Sequence, residues 1–258
     1  MQERPSVVII GSGNVATQIG KGLQALNFPI LQVISKNELN AKTLAGQLNS
    51  TYSSDIKAIN KAADWYIIAV KDDAIEEVAG QFNVGDKIVC HTSGTVSIDA
   101  LKKTSANYGV FYPLQTFSKD RPVNWNGIPI CIEFNNANTE EFLEHTAMSV
   151  SGNVQKLSTE KRRWAHLAAV WGNNFTNYLL SEAEAICKAH GISFAILKPL
   201  LEETIAKAFA NGPTLSQTGP AIRGDEHTIQ NHLKMLEGDK ALQEIYRTLS
   251  EAIARKRQ

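Results

Sequence analysis

A glycine-rich turn follows the first apolar segment of the chain, and its residue types suit phosphate binding. Residues 7–10 (VVII) run into Gly11-Ser12-Gly13-Asn14-Val15-Ala16, and a helical pattern of apolar residues begins there. Gly11 permits a tight turn, and Gly13 lets the backbone approach a pyrophosphate. Free N–H groups at the helix start stabilise negative charge without a lysine. We therefore expect residues 11–15 to bind a dinucleotide, with a purely structural turn as the alternative.

The residues after the second predicted strand indicate which dinucleotide is bound. Proteins that bind NAD usually place an acidic residue here, about 20 residues after the glycines, to accept from the ribose 2′-hydroxyl. This chain has Ser35 and Lys36 instead. A hydroxyl and an ammonium suit a 2′-phosphate, so we expect NADP as the cofactor. The alternatives are a solvated surface role for Lys36 and, for the turn, FAD or another adenine-bearing ligand.

Small and polar residues follow three further predicted strands, at the edge where doubly wound sheets bind ligands. His91 stands at one of these ends and is a candidate catalytic residue; a structural histidine bonded to its own turn is the alternative. Gln115 and Thr116 are expected to contact the substrate. The remaining expected cofactor contacts are Val70, Lys71, Thr92, Ser93 and Gly94.

A polar stripe is predicted on the long helix that starts the C-terminal part of the chain. His166, Asn173 and Asn177 are spaced to share one face of a regular helix. Reduction of a C=O or C=N bond needs hydride on carbon and a proton on the heteroatom. A histidine is a suitable proton donor, and asparagine amides can orient a substrate. The alternative is a stripe packed in a helix interface.

The segment 211–225 (NGPTLSQTGPAIRGD) is rich in glycine, proline and small polar residues and is predicted to be a long loop. Long ordered loops are more often functional than structural. Arg223 can hold a substrate carboxylate or phosphate with its planar guanidinium. Alternatively, Arg223 pairs with Asp225 and only stabilises the loop.

The elements that must position these residues form an α/β fold. Apolar runs alternate with helix-sized connections, which predicts βαβ units in a doubly wound parallel sheet. Two more strands, flanking a helix at 139–150, are expected to extend the sheet at its edge. The predicted strands are 7–10, 30–35, 64–70, 87–90, 108–112, 128–134 and 153–157.

From Ser158 onward no strand-like run appears, and the chain is predicted to be all-helical. Its first helix is expected at 159–189 and to end at His190 and Gly191. Residues 1–157 are therefore predicted to form an NADP-binding domain, and residues 158–258 a helical substrate or dimerisation domain.

The composition excludes several classes of partner. Lys plus Arg and Asp plus Glu both number 26, so no net field draws the protein to nucleic acid or to an anionic membrane. No segment is apolar enough to span a membrane, and a cytoplasmic protein is expected. The three cysteines and six histidines are not in metal-like spacing, so we expect reduced thiols and no metal.

Three motifs carry a family resemblance: HTSG at His91, YPLQTF at Tyr112 and TGPAIRGD at Thr218. They resemble the signatures of a bacterial family described only as "putative NADP oxidoreductases". This family belongs to a broad group with pyrroline carboxylate reductase, deazaflavin-dependent NADP oxidoreductases and 6-phosphogluconate dehydrogenase-like proteins. The resemblance spans essentially the whole chain and names no substrate.

The resemblance implies a Rossmann domain followed by a helical dimerisation domain, hence a homodimer with a site between domains. It implies NADP binding through Gly11, Gly13, Asn14, Val15, Ser35 and Lys36. In related imine reductases the helical domains interlock, so the Arg223 loop can serve a partner subunit. Hydroxyacid dehydrogenases carry a catalytic lysine four residues before a helix asparagine, where this chain has Ala169 or Asn173. We therefore expect His166 to take the role of this catalytic lysine.

Two functional hypotheses follow from these residues. The first is an NADP-dependent oxidoreductase that reduces a small carbonyl or imine substrate in the interdomain cleft. The second is a non-catalytic protein that binds NADP(H) and acts as a sensor or regulator. An enzyme needs His166 or His91 open to the nicotinamide, whereas a sensor tolerates both buried.

Overall fold

The computed structural model describes residues 4–256, in which the strands form a single eight-stranded sheet. The strands are β1 (Val7–Ile10), β2 (Ile30–Ile34), β3 (Thr51–Ser53), β4 (Trp65–Ile68), β5 (Ile88–His91), β6 (Asn107–Pro113), β7 (Ile130–Phe134) and β8 (Val154–Lys156). Their order is β3-β2-β1-β4-β5-β6-β7-β8. The pair β6 and β7 is antiparallel, and the other neighbours are parallel. The predicted doubly wound α/β fold is confirmed.

Helices follow most of the strands and fill the C-terminal part. They are α1 (Asn14–Ala25), α2 (Glu38–Gln47), α3 (Ile75–Ala79), α4 (Ala137–Ser151), α5 (Thr159–Ala169), α6 (Thr176–Ala189), α7 (Lys198–Asn211), α8 (Pro220–Arg223), α9 (Glu226–Met235) and α10 (Lys240–Arg255). Pro199 lies in the first turn of α7, where its missing N–H costs no helical hydrogen bond. Helix α8 lies inside the segment 211–225, so the prediction of a continuous loop there was wrong.

The central strands are apolar because both faces of the sheet are covered. All residues of β1 and β4 are buried, which explains their continuous runs VVII and WYII. Alternate side chains enter separate apolar clusters on the two faces. Trp65 lies at the centre of one cluster, with edge contacts to Phe111 and Phe142 at centroid distances of 5.2 and 5.5 Å. The core thereby fixes the parallel strands, and their carboxyl ends lie along the same edge of the sheet.

Two short elements at that edge were not predicted from the sequence. Strand β3 is three residues long and largely exposed, and helix α3 has only five residues. Elements of this length present no full period of apolar residues to recognise. Helix α3 follows β4, whose carboxyl end lies against the glycine-rich turn at Gly11.

The long helix predicted at 159–189 spans those residues but is not regular. A π-helical segment, Val170–Phe175, separates α5 from α6. A π segment closes i→i+5 hydrogen bonds, so it changes the rotation of later residues relative to earlier ones. The regular spacing that placed His166, Asn173 and Asn177 on one face is therefore wrong across this segment. The helix ends as predicted, with Gly191 at φ +68°.

By compactness the chain divides into two units, one ending at Thr176 and one beginning at Asn177. The first unit contains the whole sheet and α5. The second contains only helices and their connections. Compact units and functional domains need not coincide, and the domain boundary after residue 157 stays a prediction. Within residues 4–256, no helix has the length and apolar character needed to cross a membrane.

A substitution at Gly109 can test the close pairing of β6 with β7. A Cβ at this position meets the carbonyl oxygen of Glu133 at 2.2 Å, so the two backbones must separate to admit one. We expect Gly109→Ala to lower the free energy of unfolding by about 1–3 kcal/mol or more in urea denaturation. Gly46→Ala is the matched control, because its Cβ has no neighbour within 4 Å and the position is helical. It should stabilise by about 0.5–1 kcal/mol. Equal stability of the Gly109 variant and wild type would contradict the close approach.

Candidate functional site

The first glycine of the turn is required by backbone packing. Gly11 has φ +127°, a conformation that other residues rarely adopt. A Cβ there lies 2.1 Å from the carbonyl oxygen of Ala69, the residue that follows β4. The turn between β1 and α1 therefore passes directly against the end of β4, and only glycine allows it.

The second glycine has a different environment. Gly13 has an ordinary φ of −80°, and a Cβ there meets no protein atom within 4 Å. Packing within the protein therefore does not require glycine at this position. Helix α1 begins directly after Gly13 without a side-chain cap and without an acidic residue in its first turn. Its free N–H groups and positive dipole end fit a phosphate group that approaches the Gly13 backbone.

A cavity of about 740 Å³ opens over this turn, at the carboxyl ends of β1, β2 and β4. Its position agrees with the ligand site of doubly wound sheets. Ten of the twelve expected cofactor contacts line the cavity: Gly11, Ser12, Gly13, Asn14, Val15, Ser35, Lys36, Val70, Lys71 and Thr92. Ser93 and Gly94 do not. Lining residues that were not predicted from the sequence include Asn37, Asn40, Asp55, Gln81 and Lys119.

Two side-chain contacts join the loops around the cavity. The Ser12 and Ser35 hydroxyls are 2.7 Å apart, which links the glycine-rich turn to the end of β2. The Lys36 Nζ lies 3.0 Å from Glu77 Oε1 of α3. Both side chains of this ion pair remain exposed, by 75% and 62%. Lys36 thus lines the cavity and forms an exposed ion pair with a carboxylate from another element.

The position of His91 in the structure agrees with the alternative interpretation, a structural histidine bonded to its own turn. It is fully buried at the end of β5, and its Nδ1 accepts a hydrogen bond from the Ser93 backbone N–H. Burial, reinforced by the nearby charge of Arg162, lowers the pKa of His91 to about 4. A neutral, buried imidazole of this kind shapes the loop 91–94 and is poorly suited to exchange protons with a ligand. The Ser93 hydroxyl likewise accepts from the backbone N–H groups of Thr95 and Val96.

His166 on α5 instead meets a polar partner from the sheet. Its Nδ1 lies 3.0 Å from the hydroxyl of Tyr112 at the end of β6. Gly94 makes the approach possible, since a Cβ at that position lies 2.7 Å from the same Nδ1. Burial raises the pKa of Tyr112 to about 12, so its phenol stays protonated near neutral pH. A phenol hydroxyl can both donate and accept a hydrogen bond, so it fits either tautomer of the imidazole at Nδ1.

A buried arginine holds α5 against the sheet and so positions His166. The Arg162 side chain is fully buried, and its Nη2 lies 2.9 Å from Glu133 Oε2 of β7. The same nitrogen donates to the carbonyl of Val96 at 2.7 Å. The Arg163 Nε donates to the carbonyl of Thr95 at 2.7 Å. These arginines, about one helical turn before His166, therefore bind α5 to the segment that follows Gly94.

The other expected site residues are exposed and engage little of the protein. Gln115 accepts a hydrogen bond from its neighbour Thr116. Within residues 4–256, the side chains of Asn173 and Asn177 form no hydrogen bond, and Arg223 forms no ion pair. The Asp225 carboxylate accepts from the Thr228 N–H and hydroxyl at the start of α9. The ion pair between Arg223 and Asp225 that was the alternative for this loop is therefore absent among the described residues.

The remaining reactive side chains do not form a site. The part of the chain that the structure describes contains no group of histidines, cysteines and acids that could hold a metal ion. Cys90, Cys131 and Cys187 are buried free thiols. Burial raises the pKa of Cys90 to about 12 and that of Cys131 to about 11.

Comparisons with known proteins agree with these features. Residues 6–94 match the family model "NADP oxidoreductase coenzyme F420-dependent", and residues 128–253 match a domain of unknown function. The chain is similar to a solved "putative NADP oxidoreductase" from Bacteroides fragilis, with 38% identity over 98% of this chain and 99% of that chain and a TM-score of 0.92. None of the curated proteins matches the chain in sequence.

More distant structures share the fold. An imine reductase from Myxococcus stipitatus, solved with NADP+, is 14% identical over 97% of this chain and 92% of that chain, with a TM-score of 0.66. A 1-pyrroline-5-carboxylate reductase from Streptococcus pyogenes is 14% identical over 98% and 100% of the two chains, with a TM-score of 0.63.

His91 should make stability depend on pH. Its pKa is about 4 in the folded chain, against an ordinary value of 6.5, so between these pH values the unfolded chain binds a proton that the folded chain does not. Neutral His91 therefore contributes fully to the free energy of unfolding above pH 6.5, its pKa in the unfolded chain. As the pH falls from there towards 4, about 3 kcal/mol of this free energy is lost. His91→Asn should flatten the pH dependence of the free energy of unfolding over this range. His145→Asn, at an exposed position on α4, should not. Parallel pH profiles for wild type and His91→Asn would contradict the low pKa of the buried imidazole.

Proposed function

The chain belongs to the same family as the Bacteroides fragilis protein described as a "putative NADP oxidoreductase", and from that premise we propose that it is an NADP-dependent reductase of a small carbonyl or imine substrate. The single observation that carries the proposal is the pair of Tyr112 and His166. This pair borders the loop 91–94, and Thr92 of that loop lines the cavity over the glycine-rich turn. This position supports a role of His166 as a proton donor next to the proposed dinucleotide site.

The cavity fits NADP by the chemistry of its lining. The first turn of α1 and the backbone at Gly13 would hold the pyrophosphate. Ser35 and Lys36 would hold the 2′-phosphate, because a hydroxyl and an ammonium both donate hydrogen bonds to it. Val70, Lys71 and Thr92 extend the lining towards the loop 91–94. When bound as NADPH, the cofactor supplies a hydride to the substrate carbon.

His166 is proposed as the donor of the proton that the substrate heteroatom takes up. It is only partly buried, whereas His91 is fully buried and neutral. Tyr112 orients the imidazole through Nδ1, which leaves Nε2 as the nitrogen that can face a substrate. The anchoring of α5 by Arg162 restricts the movement of His166. Asn173, Asn177, Gln115, Thr116 and Arg223 are proposed to orient the substrate; their polar side chains are exposed.

The test follows the oxidation of NADPH by absorbance against a panel of keto acids, cyclic imines and aldehydes. We expect His166→Ala to lower kcat by about a hundredfold or more, the usual contribution of a positioned general acid. Tyr112→Phe should lower kcat less, because the imidazole remains but loses its orienting contact. Both variants should bind NADPH as wild type does in calorimetry. His145→Ala is the control for loss of an exposed histidine.

Each outcome of this experiment has a separate meaning. Unchanged turnover of His166→Ala would remove this residue from the mechanism. NADPH binding without turnover of any substrate on the panel would favour the non-catalytic sensor. A folded wild-type protein that binds neither NADP nor NAD would contradict the proposed function as a whole.

We also propose that the protein is a homodimer. In the first unit, Trp164 and Trp171 on the long helix are 65% and 63% exposed. In the second unit, α7 has no buried residue, and Phe209 at its end is 88% exposed. Isolated soluble chains rarely leave so many large apolar side chains in water. A second copy of the chain presents the same faces, and a dimer that packs such faces together removes them from water.

Sedimentation velocity can test the dimer at Phe209. Burial of a phenylalanine contributes about 1.5–3 kcal/mol, so Phe209→Glu should weaken dimerisation by at least about tenfold. Leu39→Glu is the matched control, since Leu39 is 72% exposed on α2 of the sheet-containing unit. A monomeric wild-type protein, or equal dimerisation of both variants, would contradict the proposal.

A further inference from the structure

Glu77 places a negative charge at the position where a coenzyme phosphate is expected. Its Oε1 lies 3.0 Å from Lys36 Nζ, and the Gln81 Nε2 donates to the same oxygen at 3.4 Å. Gln81 also donates to the Glu77 carbonyl at 3.2 Å. Lys36 and Gln81 both line the cavity over the glycine-rich turn. The carboxylate thus contacts two side chains that line the cavity.

The backbone of Glu77 cannot easily move away from Lys36. The residues on the inner side of α3, Ile75, Val78 and Ala79, are buried in the core beneath it. Lys36 in turn follows Ser35, whose backbone N–H donates to the Ser53 carbonyl. The two charged side chains are therefore brought together by two ordered elements, although 41 residues separate them in sequence.

The two nicotinamide coenzymes differ at this place. NADP carries a 2′-phosphate, a multiply charged acceptor, whereas NAD carries a neutral hydroxyl that can donate a hydrogen bond. A phosphate that binds Lys36 must compete with the Glu77 carboxylate and is repelled by it. A ribose hydroxyl meets no such repulsion and can donate to the carboxylate.

We propose that Glu77 is a coenzyme-specificity residue that reduces the preference of this protein for NADP over NAD. The inference rests on the proposed function, because it assumes that the cavity binds a nicotinamide dinucleotide. Lys36 draws the 2′-phosphate, and Glu77 offsets part of that attraction. Because both side chains are exposed and screened by water and salt, the effect is moderate.

Calorimetric titration with NADP+ and with NAD+ tests the proposal without a substrate. We expect Glu77→Gln to tighten NADP+ binding about three- to tenfold and to leave NAD+ binding within about twofold of wild type or weaker. Glu76→Gln is the matched control: it removes the same charge one residue away, and Glu76 is exposed and has no ion pair among the described residues. Its ratio of NADP+ to NAD+ affinity should equal that of wild type.

Variants of Lys36 can separate two effects: the attraction of the 2′-phosphate by Lys36, and the competition of Glu77 for the Lys36 ammonium. Lys36→Ala should weaken NADP+ binding about tenfold or more and NAD+ binding little, through loss of a charge-assisted hydrogen bond. In the Lys36→Ala background, Glu77→Gln should tighten NADP+ binding less than it does in wild type, because the competition for the ammonium is gone. The gain in wild type should also shrink at high salt.

Two results would overturn the role of Glu77. One is an affinity ratio that Glu77→Gln leaves unchanged while wild type binds NADP+; this result leaves the proposed function intact. The other is an equal gain from Glu76→Gln, which would indicate a general effect of net charge. A folded wild-type protein that binds neither coenzyme would contradict this inference and the proposed function together.

Discussion

The candidate site depends on the buried ion pair between Arg162 and Glu133. Through it, a helix that follows the last strand is bound to the sheet edge where β5 and β6 end. Two nitrogens of the Arg162 guanidinium, Nε and Nη1, find no hydrogen-bond partner among residues 4–256. Burying a charge in this way is costly, and removing one partner of such a pair typically destabilises by about 3–5 kcal/mol. The pair is therefore better explained by the positioning of α5 than by its own contribution to stability.

What this anchoring positions is the imidazole of His166, which lies beside Gly94 of the loop 91–94. Arg162 also contacts the loop 91–94 region through Val96, and Gly94 leaves room for the imidazole of His166. The three elements that meet here are a loop, a strand end and a helix, each held by a different set of contacts. A site built from such held elements requires little rearrangement when a ligand binds.

The electrostatics of the site are divided between its two ends. At the Tyr112 end, burial keeps the phenol protonated and His91 neutral, so charge changes are confined to few groups. At the Lys36 end, the charges of Lys36 and Glu77 are exposed and are screened by water and salt. In the proposed function the first arrangement serves proton transfer, and in the further inference the second serves selection between coenzymes.

Features that depend on neighbouring residues could be predicted from the amino-acid sequence. The glycine-rich turn, the apolar strands and the basic residue after β2 were all recognised, because turn geometry and burial of both strand faces impose residue types locally. Ten of the twelve expected cofactor contacts line the cavity for the same reason. The resemblance in the HTSG, YPLQTF and TGPAIRGD motifs also agreed with the family.

The pairing of side chains across the sheet edge, in contrast, became known only from the folded chain. Tyr112 meets His166 across 54 residues of sequence, and Lys36 meets Glu77 across 41. These pairs depend on strand order, on the short helix α3 and on the packing of α5, none of which leaves a local pattern. The π segment at Val170–Phe175 likewise changed the face on which Asn173 lies. Side-chain pairing is a property of the assembled elements, and the spacing of residues along one helix or strand does not contain it.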